Sequence, residues 1–227
     1  KMSKSLHNVQ NPDDLIDKYG ADTLRLYEMF LGPLEQSKPW DTKGIEGVFR
    51  FLRKFWKLFH DDQGHFYLSE AAANEKELKI LHRTIKKVKD DIERYSFNTV
   101  VSAFMIATNE LTDLKCNKRE ILEPLIILIS PYAPHIAEEL WELSGHTESI
   151  TYAQFPEYKE EYLTETSFNY PVSFNGKVRY NLTLPLHLNN DEIEQEVLRH
   201  DKTSYYLQGK MPKKIIIVRG KIINVVF

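Results

Sequence analysis

The sequence has 227 residues, 42% hydrophobic and 28% charged, which argues against disorder as the dominant state and allows one or two domains. Its net charge of −3 neither requires nor forbids a polyanionic partner, so the distribution of charge has to decide: residues 166–227 carry 9 Lys and Arg against 5 Asp and Glu, which leaves 1–165 at −7. The single cysteine, Cys116, excludes an internal disulfide and fits a reducing, cytoplasmic setting; with no Cys or His at ligand spacing it gives no zinc or other metal site.

The opening Lys1-Met2-Ser3-Lys4-Ser5 is polar, with nothing before it to pack against, and is read as an internal point of a longer protein. Pro12-Asp13-Asp14 is a helix start, with Leu15, Ile16 and Tyr19 on one side and Gly20 as the stop. A second helix is expected over 21–30, its face marked by Leu24, Tyr27 and Leu31, before Gly32-Pro33 breaks it and Pro39-Trp40-Asp41 forms a loop. Over 44–59, Ile45, Val48, Phe49, Leu52, Phe55, Trp56 and Phe59 recur at three- and four-residue steps, while Arg50, Arg53, Lys54 and Lys57 gather opposite them. Long amphipathic helices are expected over 75–95 and on to 114. The stretch 118–130 is so apolar that it belongs in the centre of a bundle, and 135–143 is the last helix of the set. Within it, 125–129 is the longest strongly apolar run, far too short to span a bilayer, and there is no signal-peptide pattern, so no membrane is implied.

The pattern then changes. Residues 156–165 are acidic and aperiodic, which predicts a flexible linker. Beyond it two alternating runs joined by Asn175-Gly176 predict a hairpin, Asn190 caps a helix to about Tyr206, and a second hairpin turns at Arg219-Gly220. The expected fold is mainly α: an antiparallel helical bundle followed by a small α+β domain of ββαββ order. The expected divisions are 1–43, 44–155, the linker 156–165, and 166–227.

Two lysines flanking small hydroxyl residues can grip a triphosphate, because ammonium groups neutralise the charge that builds on leaving pyrophosphate. Lys1-Met2-Ser3-Lys4-Ser5 has that chemistry, although the five residues alone read equally well as a cationic terminus. Followed by Asn11-Pro12-Asp13-Asp14-Leu15-Ile16-Asp17-Lys18-Tyr19-Gly20-Ala21-Asp22-Thr23-Leu24-Arg25, the segment resembles the signature loop of class I aminoacyl-tRNA synthetases and the helical segment after it. Tyr27-Glu28-Met29-Phe30-Leu31-Gly32-Pro33-Leu34-Glu35 and 44–52 resemble the leucyl branch more than the valyl, isoleucyl or methionyl ones. Asn175-Gly176-Lys177-Val178-Arg179 and the closing residues from Gly220 resemble that branch's small bacterial C-terminal domain, so the likeness covers essentially the whole chain.

The resemblance implies that Lys4, with Lys1 beside it, stabilises the transition state of aminoacyl-adenylate formation, and that Met2, Ser3 and Ser5 complete the ATP-binding loop. It implies a stem-contact segment over 6–43, a helical domain named for the anticodon over 44–155, and a domain at the tRNA corner over 166–227. The implied parent ligates leucine to tRNA(Leu), with ATP as substrate and Mg2+. Neither is expected on this chain alone. The implied partners are tRNA(Leu) and the catalytic and editing domains of the same polypeptide, in a monomer. No His-x-Gly-His motif is present: Gly64-His65, Pro134-His135 and Ser144-Gly145-His146 do not reproduce it, so no aminoacylation by these residues alone is expected.

The competing readings are a free-standing RNA-binding or assembly module and a piece of another class I synthetase. Arg50, Arg53, Lys54 and Lys57 are either an ordinary solvated face or phosphate contacts, and the resemblance assigns them to tRNA. Lys177, Arg179, Lys213, Lys214, Arg219 and Lys221 lie at the two hairpins; Lys213 and Lys214 can also serve as edge protection. His135 is read as a satisfied bundle histidine.

Overall fold

Asn11 accepts the amide of Asp13 at 3.3 Å, and Pro12 supplies the preset φ of a first helical position, which starts helix α1, Pro12–Tyr19. The computed structural model that shows this describes residues 5, 9–41, 43–164 and 167–227; Lys1, Met2, Ser3 and Lys4 lie outside the described residues. Gly20, at φ 85°, closes α1 and passes the chain into α2, Ala21–Phe30. Helices α3 (Gly44–Lys57), α4 (Glu75–Glu93), α5 (Phe97–Asp113), α6 (Arg119–Ile129) and α7 (Pro134–Leu143) follow. Helix α4 is opened by a reciprocal capping box between Asn74 and Glu77.

The core of this unit runs through Leu26, Ile45, Phe55, Ile85, Leu111, Leu125 and Leu140. Helix α2 packs on α3, α5 and α7, so the segment before residue 44 shares the bundle core. The Tyr27 hydroxyl donates to the Asp41 carbonyl at 2.5 Å, and a Cβ on Gly44 would stand 2.7 Å from that hydroxyl oxygen, so only glycine fits where the loop enters α3. On α3 the fully buried residues are Ile45, Val48, Phe51, Leu52 and Phe55. Phe51 replaces the expected Phe49 and Trp56, which are half-buried. Helices α2 and α5 both pack on α3 and widen its buried arc on the Phe51 side.

Residues 156–163 correct the linker expectation. The Tyr162 ring stacks on His82 of α4, 4.6 Å between centroids at 8°, and the Lys159 amide donates to His82 Nδ1 at 3.2 Å. Tyr158 lies under the Lys86 ammonium at 4.8 Å. The compact units are Lys1–Leu163 and Thr164–Phe227.

The second unit contains β1 (Ser167–Phe174), β2 (Lys177–Pro185), α8 (Asn190–Arg199), α9 (Asp201–Leu207), β3 (Lys214–Val218) and β4 (Ile222–Val226). The strand order is β2-β1-β4-β3, with β1 and β4 parallel at the centre and an antiparallel hairpin on each side. Asn175 and Gly176, at φ 48° and 84°, make the left-handed turn that an Asn-Gly hairpin requires. Asn224 fastens it, its Oδ1 accepting from Ser173 Oγ at 2.8 Å and the Gly176 amide at 3.0 Å. The helix expected from Asn190 starts instead behind a capping box on Asn189 and breaks at His200, whose extended backbone and Nδ1 begin α9. Ile193, Val197 and Leu207 pack with Tyr170, Val172, Ile223 and Val225 in this unit's own core.

His82 is 7% exposed, and its Nδ1 must be unprotonated to accept the Lys159 amide. Burial, reinforced by the Lys159 charge, holds it below the usual histidine range. The unfolded chain therefore takes the proton more readily. This contribution is complete above the unfolded histidine value of ~6.5 and is lost as pH falls through the lower folded value. Thermal melts are expected to show a fall in stability from pH 7 to pH 5 that is smaller in His82→Gln. Tyr162→Ala is expected to lower the melting temperature by about 2–4 °C and to expose 156–163 to proteolysis. A pH response unchanged in His82→Gln would rule this account out.

Candidate nucleic-acid interface

Spacing by three and four puts Arg50, Arg53, Lys54 and Lys57 on one side of α3, and the buried residues opposite hold that side outward. The four do not behave alike. Lys54 is half-buried and donates to Asn109 Oδ1 of α5 at 2.7 Å, so it fixes the α3–α5 contact. Arg50, Arg53 and Lys57 are exposed, and among the described residues no carboxylate lies within ion-pair distance of them. Other cations of the unit are paired, Arg83 with Glu110, Lys86 with Asp90, Lys87 with Asp91, and Arg119 with both Glu70 and Glu123, while Lys89, Arg94 and Lys115 have no ion pair among the described residues.

Beside this face, Asp22 of α2 reaches the start of α7. Its carboxylate accepts the amides of His135 at 3.2 Å and Ile136 at 2.7 Å, and His135 Nδ1 lies 2.8 Å from the same group. A buried acid thus caps a helix from another part of the chain and offsets its own desolvation at the positive end of the helix dipole. His135 is satisfied only at Nδ1: its side chain is 74% exposed, which corrects the reading of it as a bundle histidine.

In the second unit, β1 ends, β2 begins, β4 ends and β3 begins at the same edge, as the pairs Phe174 with Lys177, Phe174 with Val225 and Lys214 with Val226 require. That brings Lys177, Arg179, Lys213 and Lys214 to one end of the sheet. Lys221 lies at the other end, beside Arg219, whose guanidinium is bound to Asn190 Oδ1 and the Leu188 carbonyl. Arg219 is therefore a structural clasp, and Lys221 stands apart from the expected group. Sequence reading missed three residues at the cationic end: Tyr206, under the Arg179 guanidinium at 5.2 Å; Lys210, over Phe227 at 5.5 Å; and Met211, 87% exposed. The acids of 167–227 all lie on α8 and the first residue of α9, none on a strand or hairpin turn.

Among the described residues no group of three or more His, Cys, Asp or Glu could hold a metal, and no helix is long and apolar enough to cross a membrane. Cys116 is buried, and burial pushes its thiol up to about 11, the opposite of a reactive thiolate. Ser5 is the one described residue of the expected ATP loop, and it is exposed.

Residues 75–195 match the family of the anticodon-binding domain of tRNA ligase, and residues 1–41 match the class I tRNA synthetases (I, L, M and V). The chain is 60% identical over 226 residues to the leucine–tRNA ligase of Cytophaga hutchinsonii and 59% identical to that of Christiangramia forsetii. Each match covers all of this chain but 24% and 23% of the relative, so the chain spans about a quarter of their length. A crystal structure of the ternary complex of Agrobacterium radiobacter K84 agnB2 LeuRS, tRNA and LeuAMS superposes with a TM-score of 0.67 at 29% identity, covering 100% of this chain and 31% of that one.

Asp22→Asn keeps the shape but loses the charge that three N–H donors share. It is expected to destabilise the helical unit by about 1–2 kcal/mol, a melting shift of about 2–8 °C, and to free His135 Nδ1, seen as a change in the ring's NMR signals. A variant with native melting and an unchanged imidazole spectrum would show that the cap contributes nothing.

Proposed function

The chain belongs to the family of anticodon-binding domains of tRNA ligases and is similar over its whole length to leucine–tRNA ligases, and from that premise we propose that it is the tRNA-binding C-terminal part of such an enzyme. In the complete protein, working in the cytoplasm as a monomer, leucine is joined to tRNA(Leu) through an aminoacyl-adenylate, with ATP as substrate and Mg2+ accompanying the triphosphate. Lys4 and Lys1 are the residues of this chain that would meet ATP. The remaining residues grip the tRNA, and alone they do not aminoacylate it.

The observation that supports the tRNA role most is the state of the α3 cations. A solvated face usually intersperses or pairs its charges, as α4 does with Asp90 and Asp91. Arg50, Arg53 and Lys57 are exposed together without a carboxylate partner, which is what phosphate contact needs. Lys177, Arg179, Lys213 and Lys214, with Lys210 added, form a second phosphate-contacting surface. A folded RNA is recognised on both mainly by shape. Lys221, at the far end of its sheet, contributes least.

The triple variant Arg50→Glu, Arg53→Glu, Lys57→Glu is expected to weaken tRNA(Leu) binding more than tenfold and to reduce the slope of log affinity against log salt by about 2–3, one unit or slightly less per lost phosphate contact. An unchanged slope would return α3 to a solvated surface. In the complete enzyme, Lys4→Ala is expected to slow adenylate formation by about two to three orders of magnitude with tRNA affinity unchanged. Equal losses in both would refute the role given to Lys4.

A further inference from the structure

Beneath the free cations of α3 lies a recess. A cavity of about 510 Å3 opens between the α1–α2 junction, α3 and the start of α7, within the ~300–1,000 Å3 typical of small-ligand sites. Phe49, Leu52 and Trp56 give it an apolar lining shared with Arg53, Lys57 and His135; the Arg53 guanidinium lies over the Phe49 ring at 5.9 Å, and one face of Trp56 is stacked on His60 at 4.4 Å. Phe49 and Trp56 are the α3 aromatics that fall short of full burial, and they line this recess. The one carboxylate in the lining, Asp22, is occupied by the amides of His135 and Ile136 and by the His135 ring. The recess therefore combines an aromatic lining with cations and no free acid.

The hydrogen bonding also fixes what His135 can do. An ionised carboxylate only accepts, so the proton on the Asp22 side of the imidazole belongs to Nδ1. In the neutral ring Nε2 is then an acceptor, on a side chain 74% exposed. An aromatic surface receives a base, cations receive phosphate, and an imidazole acceptor receives a hydroxyl hydrogen.

The geometry points to a site for one unpaired ribonucleotide of a bound RNA: its base lies against Phe49 and Trp56, its phosphate meets Arg53 and Lys57, and its ribose 2′-hydroxyl donates to His135 Nε2. The assignment rests on the reading of α3 as an RNA-binding face. It adds a nucleotide pocket and makes His135 the residue that tells ribose from deoxyribose.

The test uses the whole chain with two probes, a ten-residue oligoriboadenylate and the matching oligodeoxyadenylate. The ribo-oligonucleotide is expected to bind about fivefold tighter, the worth of one net hydrogen bond, and to quench tryptophan fluorescence. His135→Ala is expected to bring the ratio of the two affinities to about one while the salt slope stays native, with a lower melting temperature because Asp22 loses one of its three donors. Trp56→Phe is expected to abolish the quenching and keep the affinity within about twofold, which separates Trp56 from Trp40 and Trp141.

A ribo-to-deoxy ratio untouched by His135→Ala, or quenching that survives Trp56→Phe, would overturn the pocket. Absence of quenching by either probe would overturn it too, in favour of another protein segment filling the recess. Arg50→Glu, outside the lining, separates the two readings. If it still lowers the salt slope when the pocket variants are silent, the RNA-binding face stands and only the pocket fails. If it does not, the reading of α3 itself fails.

Discussion

Asp22 is 8% exposed, and a carboxylate taken that far out of water without compensation would cost several kcal/mol. Compensation comes from elements far apart in the chain: the amides of His135 and Ile136, 113 and 114 residues later, and the ring of His135. A charge that can be buried only when α7 stands in one position ties α2 to α7 more specifically than apolar contact does, since apolar contact is non-directional. Leu26 and Tyr27, one turn along α2, then enter the bundle core, and Tyr27 reaches Asp41 to fix the loop that leads into α3.

That chain of constraints sets the rotation of α3. With Gly44 pressed against Tyr27 and Phe51 buried, Arg50, Arg53 and Lys57 are turned outward, Arg53 lying over the Phe49 ring at 5.9 Å. Lys54 shows the alternative: one position along the helix, its ammonium finds Asn109 and is spent on packing. Four cations on one helix therefore divide into three available to a partner and one structural, and only tertiary packing decides which.

Helix periodicity at 3.6 residues was enough to locate α3, α4, α6 and α7, because the apolar faces of these segments are continuous in sequence. The Asn-Gly hairpin was equally legible, since positive φ at two successive residues is a local demand. What could not be read depended on distant partners. The docking of 156–163 rests on Tyr158 and Tyr162, set among Glu157, Glu160 and Glu161, and the sequence carries no sign that His82 waits for a flat ring. The break at His200 is invisible for a similar reason: the ring leaves the helix pattern to stack on Tyr180 at 4.6 Å and to cap α9. Asp22 and His135 each looked ordinary, because neither has a local motif and their meaning lies in a contact across half the chain.

The distribution of charge follows from the same separation of tasks. Residues 1–165 are net negative, and some acids there are matched to particular basic groups: Glu110 to Arg83, Asp91 to Lys87, Glu123 to Arg119. Such pairs on a surface contribute little stability, typically below ~1 kcal/mol, but they remove cations from competition for a polyanion. Where pairing is absent, a cation's own charge is felt over about a Debye length of ~8 Å, the distance at which a phosphate would be met. On α3 that charge lines an apolar recess, and in 164–227 it sits beside Tyr206 and Met211. Electrostatic attraction alone is indifferent to which polyanion arrives, whereas an aromatic surface next to it rewards a chain that carries bases as well as phosphates. Net charge is therefore the wrong measure for this protein, and the RNA-binding reading rests instead on where unpaired cations stand beside aromatic surface.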